Sequence, residues 1–424
     1  ILDPLLLNLR PSSKPIIPCG VVTGLPKPDR NVLSAKPDDL SRQRVITVGG
    51  LHHTTSRQPG HLRRWWVSDS NEYHDRTGRL PRGGLGPPLH SVKESVMDTR
   101  LFPALGREIP VIGTGTWQLG IDLSEVDPSR AFSNLDAACA SGVTFIDTAD
   151  AYDNGASERF LGEFLSARPR TGLTVATKMG RSSGEKTYPT DAFSRDRVLH
   201  WNDRSRKNLG TETIDIVHLH APPIELLQRR HLWELLDELV ETERIRCYGV
   251  SVLTCAEALE AIQHPGCASV EIIVNVFRHK PLEGVLPAAR KSGTAVIARV
   301  PLPDGLLSHN RRRSSTPAPP GSVAALDAGW IYSVVPDEVG MQAAHEFSDL
   351  CRQLGPEHVP PVQVALRWLL DQEGITCILP DARSLNQVRS NARAAELPPL
   401  SQEMHTAVRE LYDRLIKPYV HQHW

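Results

Sequence analysis

The amino-acid sequence predicts an α/β protein in which a (β/α)8 TIM barrel follows a largely irregular N-terminal extension. From Arg100 onward, short apolar runs alternate with amphipathic stretches of helical length, which is the order of parallel strands joined by helices. Eight such apolar runs are present, the number of strands that closes this barrel. Residues 1–96 are rich in Pro, Gly, Ser and Arg without sustained periodicity, which predicts disordered or irregular structure.

The predicted elements alternate through residues 97–424, which we predict to be the barrel domain. The strands are expected at residues 111–116, 143–147, 173–178, 214–220, 247–252, 270–274, 295–300 and 376–379. The helices are expected at residues 129–140, 158–167, 195–208, 229–242, 255–263, 282–291, 341–353 with 361–371, and 386–395.

A doubly wound open sheet is the alternative arrangement of alternating strands and helices. Such a sheet usually binds dinucleotides at an early G-x-G-x-x-G turn. Here Gly113 and Gly115 lack a third glycine at the required spacing, which favours the barrel.

Composition argues against several classes of protein. The formal net charge is −1, so no overall field predicts nucleic-acid or membrane partners. The sequence contains no run of about 18 apolar residues, which a transmembrane helix would need. Its first residues lack the basic leader that is typical of a signal peptide, so a signal peptide is not expected. The seven cysteines are scattered without a C-x-x-C pair, which argues against a disulfide framework and predicts no metal site. These features predict a cytoplasmic protein with reduced cysteines.

The beginning of the periodic region suggests where the functional chain starts. The sequence opens with Ile1, and Met97 stands directly before the alternating elements. We hypothesise that Met97 is the functional start and that residues 1–96 are dispensable. The competing hypothesis is that these residues form a regulatory or partner-binding extension.

Polar side chains stand at the carboxyl ends of three successive predicted strands. Asp147 ends the second strand, and Tyr152 lies in the loop beyond it. Lys178 ends the third strand and His220 the fourth. Because catalytic groups of a barrel lie at the carboxyl ends of its strands, we expect all four at one mouth. Each residue alone also has a structural reading as a turn cap, a packed aromatic or a solvated lysine, and His218 is expected inside the barrel.

An acid, a phenol, an ammonium and an imidazole at one mouth predict proton transfer. An ammonium beside the Tyr152 phenol favours the ionised phenol and lowers its pKa, while the acid neutralises the ammonium. A tyrosine in this setting can donate a proton to a carbonyl oxygen as hydride arrives at the carbon. The histidine can orient the same carbonyl.

Six segments between Arg100 and Trp424 resemble the aldo-keto reductase family, in particular actinobacterial-type NADP-dependent members. They are V-I-G-T-G-T-W at 111–117, F-I-D-T-A-D-A-Y-D-N-G-A-S-E at 145–158 followed by Leu161 and Gly162, V-A-T-K at 175–178, D-I-V-H-L-H at 215–220, P-L-P-D-G-L-L at 301–307, and P-D-A-R-S at 380–384 with Gln387 and Asn391. The segment at 145–158 is the most specific of these.

The resemblance implies an NADPH-dependent reductase that acts on a small-molecule carbonyl substrate through an Asp–Tyr–Lys–His tetrad. Tyr152 would be the general acid, and Lys178 and Asp147 would tune it. His220 would orient the carbonyl. The family binds NADP(H) extended across the barrel mouth, and Arg383 would offer its cation to the 2′-phosphate. The expected cofactor contacts are Gly115, Thr116, Trp117, Ser251, Glu271, Arg299, Pro301, Leu302, Gly305, Leu307, Arg383, Gln387 and Asn391.

The chain departs from the family pattern at the expected nicotinamide end. Val252 stands where asparagine often follows Ser251, and Glu271 stands where glutamine is common. Arg299 stands where an aromatic often stacks on the nicotinamide. These departures bear on whether an intact catalytic mouth holds its cofactor.

Three further segments depart from the family pattern or leave two interpretations open. Asp381 stands where an acidic group would weaken phosphate binding. Residues 310–328 are of low complexity where the family has a loop over cofactor and substrate, so they form either a lid or a locally altered reading frame. Residues 417–424 are expected either to shape the substrate pocket or to fray.

Three functions are compatible with these features. The leading one is an NADP-dependent oxidoreductase that reduces aldehydes or ketones to alcohols. The alternative is a cofactor-binding regulatory or auxiliary protein on the same barrel with little turnover, which the altered cofactor positions favour. A barrel lyase or isomerase would bind no nicotinamide. No sequence feature specifies the carbonyl substrate or an oligomeric state.

Overall fold

The computed structural model describes residues 97–117, 128–168, 172–181, 193–303, 306–307 and 335–423. The expected N-terminal extension, residues 1–96, and the low-complexity segment 310–328 lie outside these ranges. What the sequence predicts for these two segments therefore stays a prediction. Within the described part of the chain, no helix is both long enough and apolar enough to cross a membrane.

A β-hairpin that the sequence pattern did not reveal opens the described chain. Strand β1 (Thr99–Phe102) pairs antiparallel with strand β2 (Arg107–Pro110). The turn between them ends at Gly106, whose φ is 60°. It escapes detection because it lacks the Asn-Gly or Asp-Gly pair that is typical of two-residue hairpin turns.

Eight parallel strands then form one sheet in sequence order, which confirms the predicted (β/α)8 barrel. They are β3 (Thr114–Gly115), β4 (Phe145–Asp147), β5 (Thr174–Met179), β6 (Ile214–His220), β7 (Ile245–Ser251), β8 (Cys267–Ile273), β9 (Ala295–Arg299) and β10 (Ile375–Leu379).

The barrel closes between its first and last strands through backbone hydrogen bonds. Gly113 donates to the carbonyl of Ile378 at 2.8 Å, and Ile378 donates to the carbonyl of Val111 at 2.9 Å. Gly113 has no room for a side chain, since a Cβ there would lie 2.7 Å from a methyl group of Leu379. The first strand is therefore shorter than predicted, because only Thr114–Gly115 pair regularly.

Helices cover the outside of the barrel between the strands. The longer ones are Pro128–Ala140, Ala156–Ser166, Arg195–Leu209, Arg230–Glu241, Cys255–Ile262, Val285–Ser292, Asp337–Leu354, Pro361–Leu370 and Leu385–Arg393. Single-turn helices occur at Pro103–Leu105, Ile224–Leu227, Lys280–Glu283 and Ala394–Glu396.

The hairpin seals the amino-terminal end of the barrel. Phe102 and Ile109 are fully buried and belong to the apolar cluster that fills the barrel interior. Arg107 donates to the hydroxyl of Thr174 and to the carboxylate of Asp215, each at 3.0 Å. Both acceptors lie at the beginnings of their strands, so the carboxyl ends form the accessible mouth.

The C-terminal residues are helical and attached to the barrel. Tyr412 Oη lies 2.9 Å from His421 Nδ1, and His421 Nε2 lies 3.2 Å from Glu283, which follows the carboxyl end of β8. The tail is therefore held on the mouth side. Its elements are Gln402–Leu411, the π-helical Tyr412–Ile416, Lys417–Val420 and His421–His423.

Candidate active site

Asp147 and Lys178 form a buried ion pair at the carboxyl end of the barrel. Asp147 ends β4 two residues after the interior Phe145, and the alternation of side chains along a strand turns both inward. Lys178 extends from β5, where its Nζ contacts Asp147 Oδ2 and donates to the carbonyl of Thr148 at 3.2 Å. Both charged side chains are at most 5% exposed, so the pair is held out of water.

The Tyr152 phenol lies beside this ion pair. Its Oη is 3.4 Å from Lys178 Nζ. Its ring meets the His220 ring edge-on, with centroids 6.0 Å apart. His220 ends β6 and is buried. The structure thus brings the four residues predicted as a tetrad to one mouth.

An unusual backbone conformation holds Tyr152 at the rim. Asp153 and Asn154 have φ angles of 46° and 49°, and Gly155 has a φ of 79°. Aspartate and asparagine are enriched among residues that adopt this left-handed region. The chain then enters the helix Ala156–Ser166, so the loop that carries the phenol is tightly turned at its far end.

Three buried hydroxyl groups, those of Thr116, Thr148 and Ser157, form hydrogen bonds at the base of the same loop. The hydroxyl of Thr116 donates to the backbone carbonyl of Asp147 at 3.1 Å. Ser157 Oγ lies 2.8 Å from Thr116 Oγ1 and 3.0 Å from Thr148 Oγ1. Thr116, which we expected among the cofactor contacts, therefore has its hydroxyl turned into the protein.

The electrostatics of the mouth follow from burial and from close charges. Burial raises the pKa of Asp147 to about 8, the negative charge of Glu271 adds to this shift, and Lys178 opposes it. Burial alone would lower the pKa of Lys178, but the two carboxylates outweigh it and the net pKa is raised. Burial, with the cations of Arg181 and Lys178, lowers the pKa of His220 well below its ordinary value. The imidazole is therefore neutral and able to orient a carbonyl.

A second carboxylate lies below the catalytic mouth. We expected Glu271 among the cofactor contacts, but its Oε2 lies 3.4 Å from Lys178 Nζ and 3.6 Å from His218 Nδ1. His218 Nε2 in turn lies 2.8 Å from the hydroxyl of Ser269. Burial lowers the pKa of His218 to about 4, so this histidine is a neutral interior residue, as its strand position predicts.

The same residues form a set of groups of the kind that binds metals. Single ligand atoms of Asp147, His218 and Glu271 lie within 4.8 Å of one another. The Lys178 ammonium contacts both carboxylates of this set. We therefore assign the positive charge of the cluster to Lys178.

The predicted nicotinamide end combines a buried serine with an arginine. Ser251 ends β7 and is buried. Arg299 ends β9 and donates to the carbonyl of Val252 at 3.2 Å. The next residue, Val300, has a φ of 48°, which is rare for a β-branched side chain, and its carbonyl accepts a bond from Asn275 at 3.0 Å. This strained conformation lies directly after β9, at the mouth end of the barrel.

Asp381 faces the barrel mouth. A Cβ built on Gly115 would lie 3.0 Å from Asp381 Oδ1, and the charge of Asp381 contributes to the raised pKa of Asp147. Asn391 donates to the backbone carbonyl of Asp381 at 3.3 Å. Trp117 is half-buried at the edge of the same region.

The predicted adenosine end lies at the start of the helix Leu385–Arg393. Ser384 caps this helix by accepting a bond from the backbone of Gln387 at 3.4 Å. The side chain of Gln387 accepts a bond from the backbone of Arg383 at 2.7 Å. Arg383 and Gln387 are exposed. An exposed arginine thus directly precedes the N-cap of a helix, an arrangement that suits an anion.

The segment predicted to follow the cofactor pyrophosphate is only partly described. Pro301 and Leu307 are buried and Leu302 is half-buried. Gly305 lies outside the described residues, so its role stays a prediction.

Known proteins share both the sequence pattern and the fold of this chain. The Aldo/keto reductase family model matches residues 111–413. Methylglyoxal reductase YeaE of Escherichia coli is 25% identical over 299 residues, which cover 70% of this chain and 89% of that protein. D-threo-aldose 1-dehydrogenase of a Pseudomonas species is 24% identical over 326 residues, which cover 69% of this chain and 92% of that protein.

Solved structures give the same result at the level of the fold. The glycerol dehydrogenase of Gluconobacter oxydans superposes with a TM-score of 0.61 at 25% identity, and the match covers 75% of this chain and 96% of that one. An aldo-keto reductase from Klebsiella pneumoniae in complex with NADPH superposes with a TM-score of 0.55 at 21% identity, covering 73% and 93%. Since the family model spans most of the chain and the barrel agrees with it, this protein belongs to the aldo/keto reductase family and is related to oxidoreductases.

Proposed function

We propose that the protein is an NADPH-dependent reductase that converts aldehydes or ketones to alcohols, with Tyr152 as the general acid. The observation that carries this proposal is the position of the Tyr152 phenol, 3.4 Å from the buried Lys178 ammonium. A phenol in this position can lose its proton to a substrate, because the ammonium stabilises the phenolate left behind. The substrate is a small carbonyl compound.

Each of the residues at the mouth has its own role in the proposed reduction. Bound NADPH would supply the hydride to the carbonyl carbon. His220, which is neutral, donates a hydrogen bond that fixes the carbonyl oxygen near Tyr152 Oη. Tyr152 then gives its proton to that oxygen as negative charge develops there. Lys178, held by Asp147, stays charged throughout.

The residues around the mouth fit NADP(H) best at its adenosine end. Exposed Arg383 and the adjacent helix N-terminus provide the cation and backbone donors that a 2′-phosphate needs. The carboxylate of Asp381 is turned toward Gly115 and the mouth. At the nicotinamide end, Ser251 and Arg299 remain as candidate contacts.

The test is a titration of NADPH by fluorescence, followed by its oxidation with a panel of aldehydes. Tyr152→Phe should keep the affinity for NADPH and lose roughly 100-fold to 10,000-fold in kcat, the range typical of a lost general acid. Thr406→Val removes an exposed helical hydroxyl and should change neither. A chain that binds no NADPH would refute the proposal.

A regulatory or auxiliary role is the second candidate. It is favoured by Glu271, which stands where glutamine is common in the family and whose carboxylate contacts Lys178. This role predicts NADPH binding without measurable oxidation by any aldehyde of the panel. Turnover that Tyr152→Phe abolishes would exclude it.

A further inference from the structure

We propose that Glu271 is a positioning residue for the catalytic lysine. Together with Asp147 it holds the Lys178 ammonium from two sides, and the two carboxyl groups keep one proton between them at neutral pH. This inference rests on the proposed role of Tyr152 and adds to it a charge switch beneath the phenol.

Glu271 is in direct contact with Lys178, the residue proposed to stabilise the Tyr152 phenolate. Its Oε2 lies 3.4 Å from Lys178 Nζ, and the side chains of both residues are 2% exposed. The Asp147 carboxylate contacts the same ammonium. An oxygen of each carboxyl group lies within 4.8 Å of the other. One buried ammonium therefore contacts two buried carboxyl groups.

The charges of this cluster do not balance when every group is ionised. Asp147 and Glu271 would contribute two negative charges and Lys178 one positive charge, which leaves one negative charge buried. A buried excess charge is expensive, and a carboxyl group in that setting takes up a proton. Burial and the Glu271 charge raise the pKa of Asp147 to about 8, which agrees with one proton being held at pH 7.

Among the residues that the structure describes, no other side chain within the cluster supplies the missing positive charge. Burial lowers the pKa of His218 to about 4 and that of His220 well below its ordinary value, so both imidazoles are neutral. The more distant cations and Asp381 lie around the rim. The groups that face the cluster from the surrounding elements are Tyr152, Arg181, His218, His220, Arg299, Cys377 and Asp381.

The proton held by the two carboxyl groups sets the net charge of the cluster, and this charge determines how well the Tyr152 phenolate is stabilised. Below about pH 8 the cluster is neutral, and the ammonium stabilises the phenolate that Tyr152 becomes. Above that pH the cluster carries one negative charge, which opposes phenolate formation. Proton donation to the substrate becomes harder, and the rate of carbonyl reduction falls.

Glu271→Gln separates these states, because glutamine has the same shape and no charge. The wild-type kcat for reduction should fall roughly tenfold across an inflection near pH 8. In E271Q, Asp147 pairs with Lys178 as a single ion pair, and this inflection should disappear. A profile that keeps the inflection in E271Q would overturn the proposal.

Infrared spectroscopy of the protein alone tests the proton without any turnover. Wild-type protein should show the carbonyl stretch of protonated buried carboxyl groups at neutral pH and lose it as the pH rises through about 8. Asp150 contributes to the same band, because burial and Glu158 raise its pKa to about 8 as well. Asp150→Asn is therefore the matched control, which removes the Asp150 carboxyl and its part of the band and should leave the Asp147 part.

The two outcomes of the infrared experiment are distinct from those of the activity assay. A band whose Asp147 part disappears in E271Q supports the held proton even if the chain proves inactive, which would refute only the proposed function. The absence of a pH-dependent carboxyl band from the wild-type protein overturns the inference. That measurement needs no variant, so it holds even if E271Q fails to fold.

Discussion

The hydroxyl of Thr116 donates a hydrogen bond to the backbone carbonyl of Asp147 at 3.1 Å. This bond joins the first strand of the barrel to the end of β4, next to the acid that pairs with Lys178. Ser157 reaches the same hydroxyl from the helix behind Tyr152. The position of the phenol thus depends on a threonine whose hydroxyl binds the backbone beside the ion pair.

Thr116→Val should weaken this support while preserving the volume of the side chain. We expect a loss of about 1–3 kcal/mol in the free energy of unfolding, because buried hydrogen-bonding groups lose a partner. The value of kcat should fall more than KM rises. Urea unfolding and steady-state kinetics measure both effects. Thr406→Val removes an exposed helical hydroxyl and serves as the control, and equal behaviour of the two variants would contradict this role.

Lys178→Met should abolish most of the reduction without preventing NADPH binding. The phenol loses the cation that stabilises its ionised form, so kcat should drop roughly 100-fold or more. The two carboxyl groups left behind take up protons. Stopped-flow binding and aldehyde reduction distinguish these effects, and Lys291→Met, at an exposed position, should leave both unchanged. Activity retained by K178M would show that another group stabilises the phenolate.

The free energy of unfolding should fall as the pH rises from about 6.5 to about 8. The pKa values of Asp147 and Asp150 are raised to about 8 in the folded protein by burial, so the folded state binds more protons than the unfolded state in this range. Their contribution is complete at low pH and is lost as the pH passes about 8. The slope should approach about 1.4 kcal/mol per pH unit for each group.

Below about pH 6.5, buried histidines oppose this fall in the free energy of unfolding. Burial lowers the pKa of His218 to about 4 and that of His279 to about 3. Their contribution has the opposite sign, since it grows with pH and is complete above about 6.5. Urea unfolding at a series of pH values measures the sum. Asp150→Asn should reduce the decline toward pH 8, and a flat profile in the wild-type protein would contradict both carboxyl assignments.

Arg383→Ala should weaken the binding of NADPH and leave that of NADH unchanged. The loss of a charge-assisted bond to the 2′-phosphate corresponds to about 1.5–3 kcal/mol, or roughly ten-fold to a hundred-fold in Kd. Fluorescence titrations with both nucleotides provide the measurement. Arg393→Ala changes an exposed arginine at the other end of the same helix and should affect neither nucleotide. Equal losses for NADPH and NADH would place the 2′-phosphate elsewhere.

Local pattern was sufficient to predict the strands and the direction of the side chains on them. β6 begins and ends where its apolar run predicts, at Ile214 and His220. Asp147 faces inward because Phe145 does, and Lys178 follows from the same alternation. These properties depend on neighbours one or two residues away.

Contacts between strands depend on the stagger of the barrel, which no single strand encodes. His220 pairs with Ser251, and Ser251 pairs with Glu271. This register, with the depth of each side chain, brings Glu271 to Lys178. The resemblance to the family predicts a cofactor contact for Glu271 from its position, and the register shows that its carboxylate lies next to Lys178. The hairpin was missed for a related reason, since four-residue strands with an unusual turn give little signal.

The sealed base of the barrel has a consequence for where the chain can be cut. The family model begins at residue 111, but Phe102 and Ile109 fill the barrel interior and precede it. A shortened gene that starts at residue 111 would encode a barrel with an open base and exposed apolar side chains. One that starts at Met97 retains the hairpin that closes this base, and we expect its product to fold and to give the same result as the full chain in the aldehyde-reduction assay. The limits of recognisable similarity are therefore not the limits of the folding unit.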